Sequence, residues 1–229
     1  MDDKKIIVAL DSNNFHELKN IVDEIKNQVF AFKIGYEFFL NFGLDGYKFI
    51  QNKNVNIFLD LKLHDIPNTI KKSIETIANL NPYFTTIHIT GGDEMQKIAN
   101  LSKKNVKILG VSILTSIDSA QAEKYYNEKN INNLVGKFVK NTLENKLDGV
   151  VCSPLEIELV KKISSGKLII VTPGIRPENY NKNDDQKRFM SPKKAVNLGA
   201  NYLVIGRPIT QSSNPLLEIT SINSSIEKI

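Results

Sequence analysis

Asn56-Ile57-Phe58-Leu59-Asp60-Leu61-Lys62-Leu63-His64-Asp65 begins as a β-strand and ends as a charged run. Strand side chains alternate between two faces, which sends Asp60 and Lys62 to one side while Leu59, Leu61 and Leu63 point to the other. Apolar first and charged at the end is the order expected of a strand in a parallel barrel, where the active site collects at the C-terminal ends of the strands.

Seven further β-branched or apolar runs surround this one: Lys5 to Leu10, Phe30 to Ile34, Thr85 to Thr90, Val106 to Leu114, Gly149 to Cys152, Leu168 to Thr172 and Tyr202 to Ile205. Amphipathic stretches separate them, as parallel strands joined by crossover helices require. The reading is a (β/α)8 TIM barrel, an α/β fold, with residues 1–229 forming one domain. An open doubly wound sheet is the competitor, but no strand leads into a G-x-G-x-x-G turn, and Gly91-Gly92 is a weak substitute. Leu18, Ile21, Val22 and Ile25 mark a first helix, with Ser12 and Asn13 as its caps. Ser153-Pro154-Leu155-Glu156 reads as a capping box, and Ser191-Pro192 repeats the cap-plus-proline signal. Glu178 to Arg188 is polar and reads as a surface loop.

With 41% hydrophobic and 24% charged residues, the composition is that of a globular chain. The net charge of +5 is spread over lysines interleaved with Asn, Asp and Glu, so nucleic-acid binding is not expected, although an anionic substrate would profit from the field. No apolar stretch is long enough to cross a bilayer, and the opening MDDKKIIVALD is unlike a leader. A cytoplasmic location and no membrane partner are expected. The single cysteine, Cys152, cannot form an internal disulfide, which fits a reducing compartment.

Polar residues recur at the expected strand ends: Asp11, Lys33, Asp60, Lys62, His88, Thr115 and Gly206-Arg207. Charges half-buried in a barrel mouth are costly unless paired, so Asp60, Lys62 and Asp65 form a mutually neutralising or functional cluster. The plain alternative is a structural salt bridge, with Asp65 merely capping a helix begun by Pro67. A lysine between carboxylates favours its ammonium form, which makes Lys62 a proton donor and not a Schiff-base nucleophile. Three carboxylates could hold Mg²⁺, but interleaved lysines are poor company for a dication, so no metal is expected. The three histidines are too dispersed for a zinc motif: His16 reads as surface helix, His64 as packing or support, and His88 as a hydrogen-bonded lumen residue. Cys152 reads as a buried small residue. Val171-Thr172-Pro173-Gly174-Ile175-Arg176-Pro177 and Val204-Ile205-Gly206-Arg207-Pro208 look like an anion grip after strands seven and eight, combining close backbone approach with guanidinium groups.

Leu59 through Thr69 (Leu-Asp-Leu-Lys-Leu-His-Asp-Ile-Pro-Asn-Thr) resembles the signature of the orotidine 5′-phosphate decarboxylase family. Ile7-Val8-Ala9-Leu10-Asp11, Phe32-Lys33-Ile34-Gly35, Leu114-Thr115-Ser116 and the two anion-grip stretches match it in order, over the whole chain. The resemblance implies a carboxy-lyase that converts orotidine 5′-monophosphate to UMP and carbon dioxide, the last step of de novo pyrimidine synthesis, without cofactor or metal. It implies Lys62 as proton donor to the pyrimidine carbon and Asp60 beside the substrate carboxylate. Asp11 and Lys33 would hold the ribose hydroxyls and the charge network, and Thr115 the pyrimidine. Gln186, Gly206 and Arg207 would bind phosphate, with Arg176 nearby and Glu178 to Arg188 closing as a lid. A homodimer is implied, with Asp65 and Thr69 reaching into the partner's site. Relatives with Asp-x-Lys-x-x-Asp that use Mg²⁺, the sugar-phosphate decarboxylases and hexulose-phosphate synthases, carry an acid near the end of strand two, where this chain has Lys33.

Overall fold

The computed structural model describes residues 4–177, 180 and 189–227. Eight parallel strands close into a barrel in sequence order: β1 (Ile6–Ala9), β2 (Ala31–Ile34), β3 (Asn56–Leu63), β4 (Phe84–His88), β5 (Lys107–Val111), β6 (Gly149–Val151), β7 (Ile169–Thr172) and β8 (Tyr202–Ile205). β8 pairs back onto β1, with Ile6 opposite Leu203. All eight expected runs are therefore strands. The structure trims most of them by a residue or two and extends the third, expected over Asn56 to Leu61, to Leu63.

Among the described residues, ten helices lie on or between these strands: α1 (Phe15–Ile25), α2 (Tyr36–Gln51), α3 (Pro67–Leu80), α4 (Asp93–Ser102), α5 (Ser119–Tyr126), α6 (Ile131–Glu144), α7 (Ile157–Ser164), α8 (Pro192–Leu198), the single turn α9 (Arg207–Thr210) and α10 (Pro215–Glu227). Helix α1 buries Leu18, Val22 and Ile25 as its period requires, but its cap is Asn14, whose side chain accepts from the Glu17 N–H. Ser12 sits one step further out and accepts from the Asn14 N–H. The Ser153 capping box forms as expected, with the Glu156 carboxylate accepting from the Ser153 N–H, and starts a short 3-10 turn ahead of α7. Ser191 is the N-cap of α8 by backbone position, without a side-chain cap bond.

Two apolar layers follow from strand alternation. Outward residues such as Ile6, Val8, Phe32, Ile34, Leu59, Val150 and Leu203 pack under the helices. Inward residues Ile7, Ala31, Phe58, Phe84, Leu109, Val171 and Val204 fill the lumen. The lumen plug holds because small and large residues face one another: a Cβ on Gly149 would lie 2.3 Å from the Ile169 carbonyl oxygen. The next inward positions toward the C-terminal mouth are Lys33, Asp60 and Thr86, so the polar site rests directly on this apolar floor.

Phe84 is fully buried in the floor and meets Phe58 edge to face with ring centroids 5.8 Å apart. Phe84→Ala should lower unfolding free energy by about 3–5 kcal/mol in a urea titration, through lost burial and the cavity left behind. A loss below about 1 kcal/mol would mean that the lumen collapses around the gap.

Candidate active site at the barrel mouth

Strand β3 carries the centre of the site. Asp60 is 6% exposed at its inward position, and its Oδ2 accepts from the Lys62 ammonium at 2.8 Å. The Lys33 ammonium, one strand away on β2, lies 3.6 Å from the same oxygen and 3.4 Å from Asp11 Oδ1 at the end of β1. Two carboxylates and two ammonium groups thus alternate across three strands.

Lys62 reaches Asp60 by a route that simple alternation did not anticipate. The pairing of β3 with β4 shifts between Leu59 and Leu63, and Lys62 takes the left-handed conformation with φ 42°. That conformation costs a residue with a Cβ about 1–2 kcal/mol. Three hydrogen bonds hold the irregular end in place. The Lys62 N–H donates to Thr86 Oγ1 at 2.9 Å, the Thr86 hydroxyl donates to Asp60 Oδ1 at 2.9 Å, and the Tyr36 hydroxyl donates to the Leu61 carbonyl at 2.6 Å. Gly35 also belongs to the site, because a Cβ there would fall 2.7 Å from the Lys33 Nζ and 3.2 Å from Asp11 Oδ1. Sequence reading passed over Thr86 and Tyr36. Parity along β4 was the available signal for Thr86, since Phe84, Thr86 and His88 share the inward face. No local signal marks Tyr36.

Lys33, Asp60, Lys62 and Thr115 line one cavity of about 230 Å³, whose walls include Phe58, Ile113, Cys152 and Pro173. The other expected residues stand elsewhere. Asp65 and Thr69 are exposed at the start of α3, and no ion pair joins Asp65 to Lys62 among the described residues. The single-chain cluster of Asp60, Lys62 and Asp65 therefore does not form. Nor does Asp65 cap α3: its carboxylate accepts from the Ile66 N–H, and the N-cap position belongs to Ile66. Arg176 is buried, with Nη1 donating to the Ile175 carbonyl and its guanidinium 5.7 Å from the Tyr180 ring. Arg207 lines a second cleft with Tyr180, Ser191 and Lys193, reached from β8 through Gly206, the N-cap of α9. Gln186 and all but Tyr180 of the stretch from Glu178 to Arg188 lie outside the described residues.

His16 is exposed on α1. His88 makes no side-chain hydrogen bond among the described residues; instead its ring lies 5.5 Å from that of His64. Burial, then the neighbouring His64 and Lys62, hold its imidazole below the usual range, while Asp60 pulls weakly the other way. Cys152 is buried in the cavity wall. Burial and the Glu156 carboxylate push its thiol up, so it is a neutral surface at physiological pH.

A model of the orotidine 5′-phosphate decarboxylase / HUMPS family matches residues 4–222. An orotidine 5′-phosphate decarboxylase of Wigglesworthia glossinidia brevipalpis is 42% identical over 228 residues, covering 98% of each chain. One from Carboxydothermus hydrogenoformans is 42% identical and covers 92% of this chain and 91% of its own. Among solved structures, the orotidine 5′-phosphate decarboxylase of Lactobacillus acidophilus superposes with a TM-score of 0.84 at 34% identity, covering 97% of this chain and 99% of that one.

The electrostatics of the site turn on Asp60. Burial alone would raise its carboxyl, but Lys33 and Lys62, with hydrogen bonds from Lys62 and Thr86, bring it below the usual carboxylate range. A depressed folded value stabilises the chain above the unfolded value of about 3.9, and the gain disappears as pH falls through the folded value. Lys33→Met removes the larger of the two coulombic influences and raises the carboxyl. Urea titrations should show Lys33→Met less stable than the parent by about 1–3 kcal/mol at pH 7, with the gap narrowing toward pH 3. A gap that stays constant with pH would mean that Lys33 contributes by packing alone.

Proposed function

Because the chain belongs to the orotidine 5′-phosphate decarboxylase / HUMPS family, we propose that it is a carboxy-lyase that converts orotidine 5′-monophosphate to UMP and carbon dioxide, the closing step of UMP synthesis. The observation that carries this reading is the Lys62 ammonium, 2.8 Å from a buried carboxylate in a cavity whose remaining wall is largely apolar. Breaking the bond between the pyrimidine ring and its carboxyl group leaves the electron pair on the ring carbon. The Lys62 ammonium stabilises that developing charge and then donates the proton that replaces carbon dioxide, regaining its own from water. Asp60 holds the ammonium in place through the 2.8 Å contact. Repulsion between Asp60 and the substrate carboxylate is a secondary contribution in this account, since ground-state destabilisation is harder to establish than preorganisation.

Lys33 supports a route without metal or cofactor. Two ammonium groups within 4 Å of Asp60 would oppose a dication at that carboxylate, in contrast to the Mg²⁺-using relatives with an acid near the end of strand two. Asp11 and Lys33 are assigned the ribose hydroxyls, and Thr115 the pyrimidine. Gly206, Arg207 and Gln186 are assigned the phosphate, with Arg176 supporting the same end. The single-domain chain is read as a cytoplasmic enzyme; no helix among the described residues is long and apolar enough to cross a membrane.

The reading also takes the homodimer as the catalytic unit, with Asp65 and Thr69 completing the partner's site. Large apolar side chains at the same rim support it: Leu40 is 81% exposed and Ile66, next to Asp65, is 67% exposed.

Adding the protein to orotidine 5′-monophosphate should deplete its absorbance and yield UMP, unaffected by EDTA, while Lys62→Ala should slow turnover by about 10³-fold or more. An absolute need for added Mg²⁺ would favour the metal-using relatives instead. When Lys62→Ala and Asp65→Ala chains, each inactive alone, are mixed and exchange subunits, random pairing should leave about a quarter of the sites intact. Exchange without recovered activity would place Asp65 in its own chain's site.

A further inference from the structure

Hydrogen-bond chemistry singles out one side chain behind the charged pair. The Lys62 backbone N–H can only donate, so the Thr86 oxygen must accept from it, and the one hydroxyl proton is then left for Asp60 Oδ1. The hydroxyl orientation is thereby fixed at both ends. Thr86 is fully buried and is not among the residues that line the cavity. We propose that Thr86 is a positioning residue for the decarboxylation: a single hydroxyl locks the left-handed Lys62 backbone and the Asp60 carboxylate into one rigid unit.

The inference rests on the decarboxylase reading and adds a part to it. With Oδ1 committed to Thr86, the carboxylate presents Oδ2 to both the Lys62 and Lys33 ammonium groups. Without the hydroxyl, the carboxylate could rotate and the shifted end of β3 would lose the link between its backbone and β4 at Lys62. The ammonium would then move relative to a ring carbon that it must meet within hydrogen-bond reach. Thr85, the next residue, provides an internal comparison. It is equally buried, and its hydroxyl donates to the Leu59 carbonyl on the outward side, away from the charges.

The test compares Thr86→Val, Thr86→Ser and Thr85→Val in steady-state decarboxylation of orotidine 5′-monophosphate, with thermal melts alongside. Thr86→Val should lower kcat by about tenfold or more with KM changed less than about threefold, and Thr86→Ser should restore most of the loss. The pH profile gives a second readout. The groups facing Asp60 are Lys33 from β2, Lys62 on β3 and His88 from β4, with Asp11 beyond Lys33; all remain in Thr86→Val. Loss of the Thr86 hydrogen bond raises the Asp60 carboxyl, so the fall of kcat in acid should begin at higher pH than in the parent. Thr85→Val should lower the melting temperature without moving that limb. Parental kcat and acid limb in Thr86→Val would overturn the proposal, as would an equal kinetic loss in Thr85→Val. Should Thr86→Val not fold, Thr86→Ala carries the same expectation, and failure of both to fold would assign Thr86 a purely structural role. Absence of turnover by the parent chain would refute the decarboxylase reading itself, a result separable from any effect at Thr86.

Discussion

The Asp60 carboxylate is nearly closed off from water, and a lone ionised carboxyl in that position would take up a proton to escape the cost of burial. It stays charged because two ammonium groups arrive from two strands, Lys33 from β2 and Lys62 from β3 itself. Much of the local architecture follows from delivering those cations. The β2–β3 register places Lys33 opposite Phe58, one inward step below Asp60, and Gly35 gives the Lys33 ammonium the space it occupies. The apolar floor of Phe58, Phe84 and Leu109 beneath them keeps water from entering through the lumen and screening the pair.

The barrel was legible in the sequence because inward and outward positions of most strands are both apolar, and only their C-terminal ends turn polar. Those eight runs needed no knowledge of long-range contacts. The end of β3 was only half legible. Period two correctly put Asp60 and Lys62 on one face, but it assumed a regular strand, whereas the register shifts and Lys62 turns left-handed. That deviation is held by Thr86, 24 residues beyond Lys62, and by Tyr36, 25 residues before Leu61, so no window around Lys62 contains its cause. The same limit explains Asp65. Close spacing to Lys62 suggested an ion pair, but the chain turns into α3 after β3 and carries the carboxylate out to solvent. The α1 cap missed by one or two residues for a local reason: Ser12, Asn13 and Asn14 can all cap, and the choice depends on where the chain leaves β1.

The left-handed Lys62 has a further consequence for how the site is organised. A regular strand would present Lys62 as one more inward side chain above Asp60, separated by the usual two-residue rise. The irregular turn brings its ammonium back to 2.8 Å from Asp60 Oδ2. The backbone strain is therefore tied to the ion pair, and the surroundings over-determine it through hydrogen bonds from two other elements, as strained functional residues require.

Lys62 lies near the end of β3, and Arg207 opens α9 just after β8, on a different part of the ring. The charged pairs occupy β2 and β3, with β4 behind them; the arginines follow β7 and β8, and β1 joins the two groups. On the proposed reaction this separation suits a nucleotide, whose phosphate lies remote from the ring carbon that loses carbon dioxide. Binding energy gathered at the phosphate end can then contribute without using the charges that stabilise the carbanion. The arginine end needs no unusual backbone at the β3 end, and the ion-pair network needs no guanidinium. Two chemistries that would interfere if they shared the same few ångströms are kept apart by the circumference of the barrel.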